Sequence, residues 1–301
     1  MKMMPKSGNG VKVQSQKTSA VLKLSIATAL TLAVLKFVTG IFTHSMAVVA
    51  SALDSALDVA SSLVNYIAAR QAAKPPDEDH AYGHGKFESL AALFQSTFIG
   101  LSGLYLIFES LKRMISGSYL HVVPVGIGVM IFSSLATWGL IARLNRVAHE
   151  TQSLILKTER LHFSTDILSQ AGVIFALILV EMTHFIFWDL LVSLLVAFSI
   201  FKASYGILRR AIDELLDRSL PPVPLGDIEK IILGFHPSIV NLHNFRSRRV
   251  GVQIFLDFHI EIRGEENFKQ AHRMTESLIQ KIQEHYPGAD VTVHFDPEGE
   301  N

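Results

Sequence analysis

A chain of 301 residues that is 49% hydrophobic and only 18% charged falls below the roughly 25% charge of soluble domains, and its mean hydropathy is +0.34. Its 27 basic and 27 acidic residues cancel, which excludes nucleic-acid binding through bulk electrostatics. With no cysteine, any metal site must use nitrogen and oxygen ligands, for which 13 histidines are available.

The charge is concentrated in the first 23 residues, in short patches, and after Arg209. Between them lie apolar runs, which read as transmembrane helices at about 20 residues. Six spans are expected, at about 20–43, 46–70, 89–115, 122–144, 160–181 and 184–208, after a short N-terminal tail, residues 1–19. The first apolar run lacks a small-residue cleavage site and reads as a span, not a signal peptide. Lys2, Lys6, Lys12, Lys17 and Lys23 lie at the start; Arg70, Lys74 and Lys86 lie between spans two and three. Arg143, Arg146, Lys157 and Arg160 lie between spans four and five, and Arg209, Arg210 and Arg218 follow span six. The links after spans one and five carry no Lys or Arg, so both termini are expected in the cytoplasm of a multi-pass membrane protein. Lys112 and Arg113 dissent and are read as snorkelling, as is Lys36 inside span one. His44, His121 and His184 at outer span ends are explained by interface placement.

Span two contains "SALDSALD", residues 51–58, in which Asp54 and Asp58 are four apart and stack on one helical face. An ionised Asp near a span centre costs roughly 2.5–3.5 kcal/mol, and two on one face repel unless a cation sits between them. Span five supplies a matching pair, His162 and Asp166 in "LHFSTDIL". Two helices with such pairs can converge on a tetrahedral site of three carboxylates and one imidazole. That donor set suits zinc, and also cadmium, ferrous iron or cobalt, whereas magnesium prefers six oxygens. With a divalent ion the four ligands sum to about one net negative charge, so metal and protons compete for them. Small residues Ser51, Ala52, Ser55 and Ala56 offer span five a close approach.

After a linker at 209–220, the character changes from about Pro221, where "PPVP" is expected to break the helix. "LGDIEKIILGF" has helical periodicity, and "GVQIFLDFHIEI" alternates as a strand with Ile254, Leu256, Phe258 and Ile260 on one face. "NFKQAHRMTESLIQKIQEHY" reads as an amphipathic helix ended by Pro287–Gly288, and "ADVTVHFD" as a further strand. With a weaker strand near 240–249, residues 221–301 form an α-β-β-α-β cytoplasmic domain of the α+β class. His294 and Asp296 share a strand face, His259 sits on the polar face of the preceding strand, His243 ends the weaker strand, and His272 lies on the second helix. His236 and His285 read as surface residues.

The D-x-x-x-D of span two, the H-x-x-x-D of span five, "GHGK" at Gly83–Lys86, six spans and a tail domain resemble the cation diffusion facilitator family, in its bacterial zinc/iron-efflux branch. The resemblance covers about residues 20–297 and implies a ferredoxin- or metallochaperone-like tail fold, and homodimers in the bacterial inner membrane. It also implies export of divalent metal, zinc foremost, by proton antiport with alternating access. By it Asp54, Asp58, His162 and Asp166 form the transport site. Asp77, His80 and His84 in "PPDEDHAYGHGK" form a looser loop site, with Glu78 and Asp79 adding negative charge. His243, His259, His272, His294 and Asp296 form a binuclear tail site in which Asp296 bridges. Lys86 and Asp217 are placed to join tail and membrane domain as a charge pair.

A metal sensor without transport is an alternative, against which the four-ligand span site argues. An intramembrane metalloprotease would need H-E-x-x-H, and a nucleotide-driven pump G-x-x-x-x-G-K-[ST]; the chain has neither. No enzyme activity, nucleotide or nucleic acid is expected, and the partners are a second copy, the bilayer, metal ions and protons.

Overall fold

The computed structural model describes residues 8–42, 46–116, 124–183, 185, 187–263 and 268–299. His44, His121 and His184 lie outside the described residues. Six long helices come first: α1 Gly8–Phe42, α2 Met46–Ala72, α3 Lys86–Ser116, α4 Pro124–Thr151, α5 Leu154–Thr183 and α6 Phe187–Leu215. Four of them, α1, α3, α5 and α6, are long and apolar enough to cross a membrane by length and composition. The protein is a membrane protein.

The chain divides into a helical unit, Gln16–Ile212, and a second unit built around Asp213–Asn301. Within the helical unit one core joins Leu22 and Ala29 of α1 to Leu140 and Leu144 of α4 and Ile155, Leu156 and Phe163 of α5. Another joins Ala92 and Ile99 of α3 to Leu161 and Ala176 of α5 and Val196 and Ile200 of α6. Helix α5 therefore packs on both sides. Gly172 is what admits α6, because a Cβ there would lie 2.7 Å from Val196 Cγ2.

Two features hold the turn between α4 and α5. Glu88 of α3 is buried and accepts hydrogen bonds from the Ser153 hydroxyl and, at 3.2 Å, from the Ile155 backbone N–H. A carboxylate at a helix N-terminus satisfies orphan N–H groups and faces the positive end of the helix dipole. At the same end of α4, Glu150 pairs with Lys17 of α1 at 2.7 Å.

Helix α6 runs to Leu215, so the first half of the expected linker is helical. The chain then turns through Asp217 at φ +55°, whose carboxylate takes Arg248 at 3.2 Å as a partner within its own unit. Next come α7 Pro222–Leu233, β1 Ile239–Val250, β2 Gln253–Ile262, α8 Phe268–His285 and β3 Asp290–Pro297, in the expected α-β-β-α-β order. The "PPVP" stretch does not precede a helix but opens one. Pro222 stands at the first helical position, where a missing N–H costs nothing and φ is already helical.

The sheet order is β1-β2-β3, with β1 and β2 antiparallel and β2 and β3 parallel. Leu256, Phe258, Ile260 and Ile262 of β2 pack with Ile228 and Ile232 of α7 and Leu278 and Ile282 of α8. Strand alternation therefore turns His259 and Glu261 to the face opposite α7 and α8. His236 and His285 are exposed.

Candidate metal centre

Among the described residues, three groups bring one ligand atom from each member within 4.8 Å of one another: Asp58–His162–Asp166, Asp77–His80–His84 and His243–His259–Asp296.

The first group is built by two facing stripes. Asp54, Asp58 and Ser62 recur every four residues along α2, and Glu159, His162 and Asp166 follow three and four apart along α5. Asp58 meets His162, while Ser62 and Asn65 meet Glu159. Rising numbers on α2 face falling numbers on α5, so the helices are antiparallel. His162 Nε2 lies 3.2 Å from Asp58 Oδ1 and 4.0 Å from Asp166 Oδ2. Among the described residues, His162 Nε2 and Asp166 Oδ2 are buried and have no hydrogen-bond partner. Buried polar atoms ordinarily find hydrogen-bond partners, so an imidazole nitrogen and a carboxylate oxygen left without one beside a second carboxylate are an arrangement that can coordinate a cation.

Asp54 does not join this group and is exposed. The polar contacts between the helices run from Asp58 toward Asn65, and Asp54 lies one turn, about 6 Å, beyond the first of them. Three of the four expected ligands converge. The small face of α2 also serves a different neighbour. Ser55 is buried and accepts a hydrogen bond from Lys36 Nζ of α1 at 2.8 Å. Lys36 is 5% exposed and does not snorkel. It lines the same cavity as Asp58 and Asp166, together with Thr137 of α4 and Gln170 of α5, and Gln170 accepts from the Ser134 hydroxyl at 3.1 Å.

Glu159, one turn from His162, is fully buried and accepts from Ser62 Oγ and Asn65 Nδ2 at 2.5 Å each. It ties α2 and α5 together just beside the converging Asp58, His162 and Asp166. Its spacing of three from His162 was the available signal, since i and i+3 share a helix face.

In the loop, Asp77 Oδ1 accepts from the His80 backbone N–H at 2.7 Å and lies 3.2 Å from His80 Nδ1, while Asp77 Oδ2 lies 3.3 Å from His84 Nε2. The imidazole centroids are 4.5 Å apart. Gly83 closes the turn at φ +80°, a conformation L side chains rarely adopt. The His80 backbone N–H, then the histidine side chains, hold the Asp77 carboxyl below its ordinary range.

In the tail, strand register places His243, His259 and His294 in one row across β1, β2 and β3. Asn241, Glu261 and Asp296 form another row beside it. Asp296 Oδ2 reaches His259 Nδ1 at 2.9 Å and His243 Nε2 at 3.0 Å, so one carboxylate serves two imidazoles. The hydrogen bond from His259, and then the three histidines together, hold its carboxyl below the ordinary range. Glu261, 3.5 Å from His243 Nδ1, is a carboxylate of this cluster that alternation alone did not single out. His294 continues the row with its ring 4.6 Å from His259, yet it is exposed and stands outside the close group. His272 is placed elsewhere, 3.6 Å from Glu276 on α8. Helix α8 packs on the core face of the sheet, and the histidine row occupies the other face.

The cation efflux transmembrane domain matches residues 22–216, and the cytoplasmic domain of cation efflux proteins matches residues 220–298. The cation-efflux pump FieF of Shewanella oneidensis is 34% identical over 277 residues, covering 91% of this chain and 92% of that protein. FieF of Pectobacterium carotovorum is 35% identical over 271 residues, 90% of each chain. Among solved structures, the metal-bound C-terminal domain of the CzcD transporter from Thermotoga maritima is 30% identical with a TM-score of 0.25, covering 27% of this chain and 98% of that one. With both of its domains matched and pumps of one kind aligned along nine-tenths of its length, the chain belongs to the cation efflux, or cation diffusion facilitator, family.

Proposed function

We propose that the protein is a secondary transporter that exports a divalent, zinc-like metal ion from the bacterial cytoplasm in exchange for protons, as a homodimer in the inner membrane with both termini cytoplasmic. The observation that carries the reading is the convergence of Asp58, His162 and Asp166 from α2 and α5, within 4.8 Å, among apolar helices. Two carboxylates and an imidazole suit zinc, cadmium, ferrous iron and cobalt, and zinc is the first of these to test. Asp54, one turn along α2, is the fourth ligand when the helices close further on the ion.

Exchange follows from the donors. Every one of these ligands must be deprotonated to bind metal, so metal entry releases protons and proton entry expels metal. An antiporter needs no covalent step, and the protein is read as a carrier rather than an enzyme. The loop and tail groups are read as binding the same metals without moving them. Across the tail of a dimer, metal held by His243, His259 and Asp296 adds to the stability of the folded state by mass action.

The test is flux in proteoliposomes. Zinc movement should follow an imposed proton gradient and vanish in Asp58→Ala, with the variant still eluting as a dimer. Undiminished flux in that variant, or a rate indifferent to the gradient, contradicts the reading.

A further inference from the structure

The cavity beside the transport ligands holds a charge of the opposite sign. Ala29, Leu32 and Lys36 form one stripe of α1, at spacings of three and four, and all three line the cavity shared with Asp58 and Asp166. The next residues on α1, Phe37 and Val38, are 50% and 43% exposed, so an outward direction was open to this part of the helix. Lys36 instead points inward, with its ammonium bonded to Ser55 Oγ at 2.8 Å. Ser55 lies between Asp54 and Asp58 in sequence, and its small side chain leaves the ammonium room.

We propose that Lys36 is a specificity-determining residue of the transport site, a fixed counter-charge that sets the valence of the ion the site accepts at two. This rests on the transport reading above. An ammonium has three donors and no lone pair, so it cannot ligate a metal and acts through its charge. The aspartates Asp54, Asp58 and Asp166 with Lys36 sum to two net negative charges, which one divalent ion cancels; Glu159 is set apart from this sum by its own bonds to Ser62 and Asn65. Without the ammonium the loaded site would be one charge negative, and only a trivalent ion would balance it. Uncompensated charge is expensive in a low-dielectric interior, so the neutral loaded state is the one favoured during passage. The ammonium also repels the bound ion and keeps binding weak enough for release, as conduction through a binding site requires.

The test uses the full chain in proteoliposomes, with Zn2+ as substrate and Tb3+ as competitor. Lys36→Gln keeps an N–H donor for Ser55 and removes the charge, Lys36→Met removes both, and Lys36→Arg keeps the charge. In Lys36→Gln and Lys36→Met the Zn2+ concentration for half-maximal flux should fall about tenfold or more, the size expected for one unit charge a few ångströms from a divalent ion. Maximal flux should fall as release slows, and Tb3+ should gain more potency as an inhibitor than Zn2+ gains affinity. Lys36→Arg should stay near the wild type on all three readouts. Half-saturation unchanged or raised in Lys36→Gln, or Tb3+ potency that does not move, overturns the proposal. Loss of flux in Lys36→Met alone, with Lys36→Gln equal to wild type, also overturns it, because the residue would then act only as a tether for Ser55. Flux that survives Asp58→Ala removes the transport reading itself, a separate failure.

Discussion

The membrane and tail groups use the same donors on opposite kinds of scaffold. Asp58, His162 and Asp166 stand on two helices whose backbone hydrogen bonds are satisfied within each helix, so the helices can part without breaking a backbone bond. What joins them near the ligands is a set of side-chain contacts, chiefly Glu159 with Ser62 and Asn65. In the tail, His243, His259 and Asp296 stand on three strands of one ladder, and separating them means tearing interstrand bonds. The first scaffold suits a site that must open and close, and the second a site that keeps its shape.

The largest expected difference is in transport. Asp58→Ala should lower zinc flux by about 100-fold or more, whereas Asp296→Ala should leave flux within about tenfold of wild type and instead lower the metal bound per chain. Equal loss of flux in both, measured side by side in vesicles, would break the contrast between a moving and a fixed site. Asp54→Ala sharpens it, because Asp54 stands outside the close group. Its flux should fall by about tenfold, between wild type and Asp58→Ala.

A smaller effect concerns the fastening of the two helices. Glu159→Ala leaves the buried Ser62 and Asn65 groups without their partner, at a cost of about 1–3 kcal/mol for each unsatisfied group. Glu159→Gln should recover part of that loss, read as the midpoint of thermal unfolding in detergent. A variant as stable as wild type would mean that Glu159 fastens nothing.

The smallest effect is on acid stability. The Asp296 carboxyl titrates below its ordinary value in the folded protein, so the unfolded chain binds its proton first as pH falls. The stability this contributes is complete above the ordinary aspartate range and is lost as pH drops through the lower folded value. Asp296→Asn should therefore lower the melting temperature at neutral pH, where that contribution is complete, and converge on wild type below about pH 4, which flattens the acid limb of the profile. An unchanged acid limb would detach Asp296 from the histidines around it.

Much of this was legible because it is periodic. Pairs four apart on a helix revealed Asp58, His162 and Asp166, and alternation revealed His259 opposite the Leu256–Phe258–Ile260 face. What escaped depends on how elements meet. The inward turn of Lys36 could not be read from α1, whose apolar residues go almost all the way round and leave no preferred face. The separation of Asp54 depends on where two helices cease to touch, and which of the tail histidines gathered by the resemblance stand in one row depends on strand register. Neither is written in the local spacing of either partner. Glu159 was readable in principle, one turn from a ligand, but a lone acid at the edge of a span looks like any boundary charge.

The parallel pairing of β2 with β3 would make the proposed metal capture a check on folding. Phe295 packs toward the core while His294 and Asp296, its neighbours in the strand, face the histidine row. A slip of one residue in β3 would exchange the two faces, exposing Phe295 and burying the carboxylate that serves two imidazoles. A tail with that error would lose the metal binding proposed for the sheet, so on that proposal a bound ion would also select against the misaligned form.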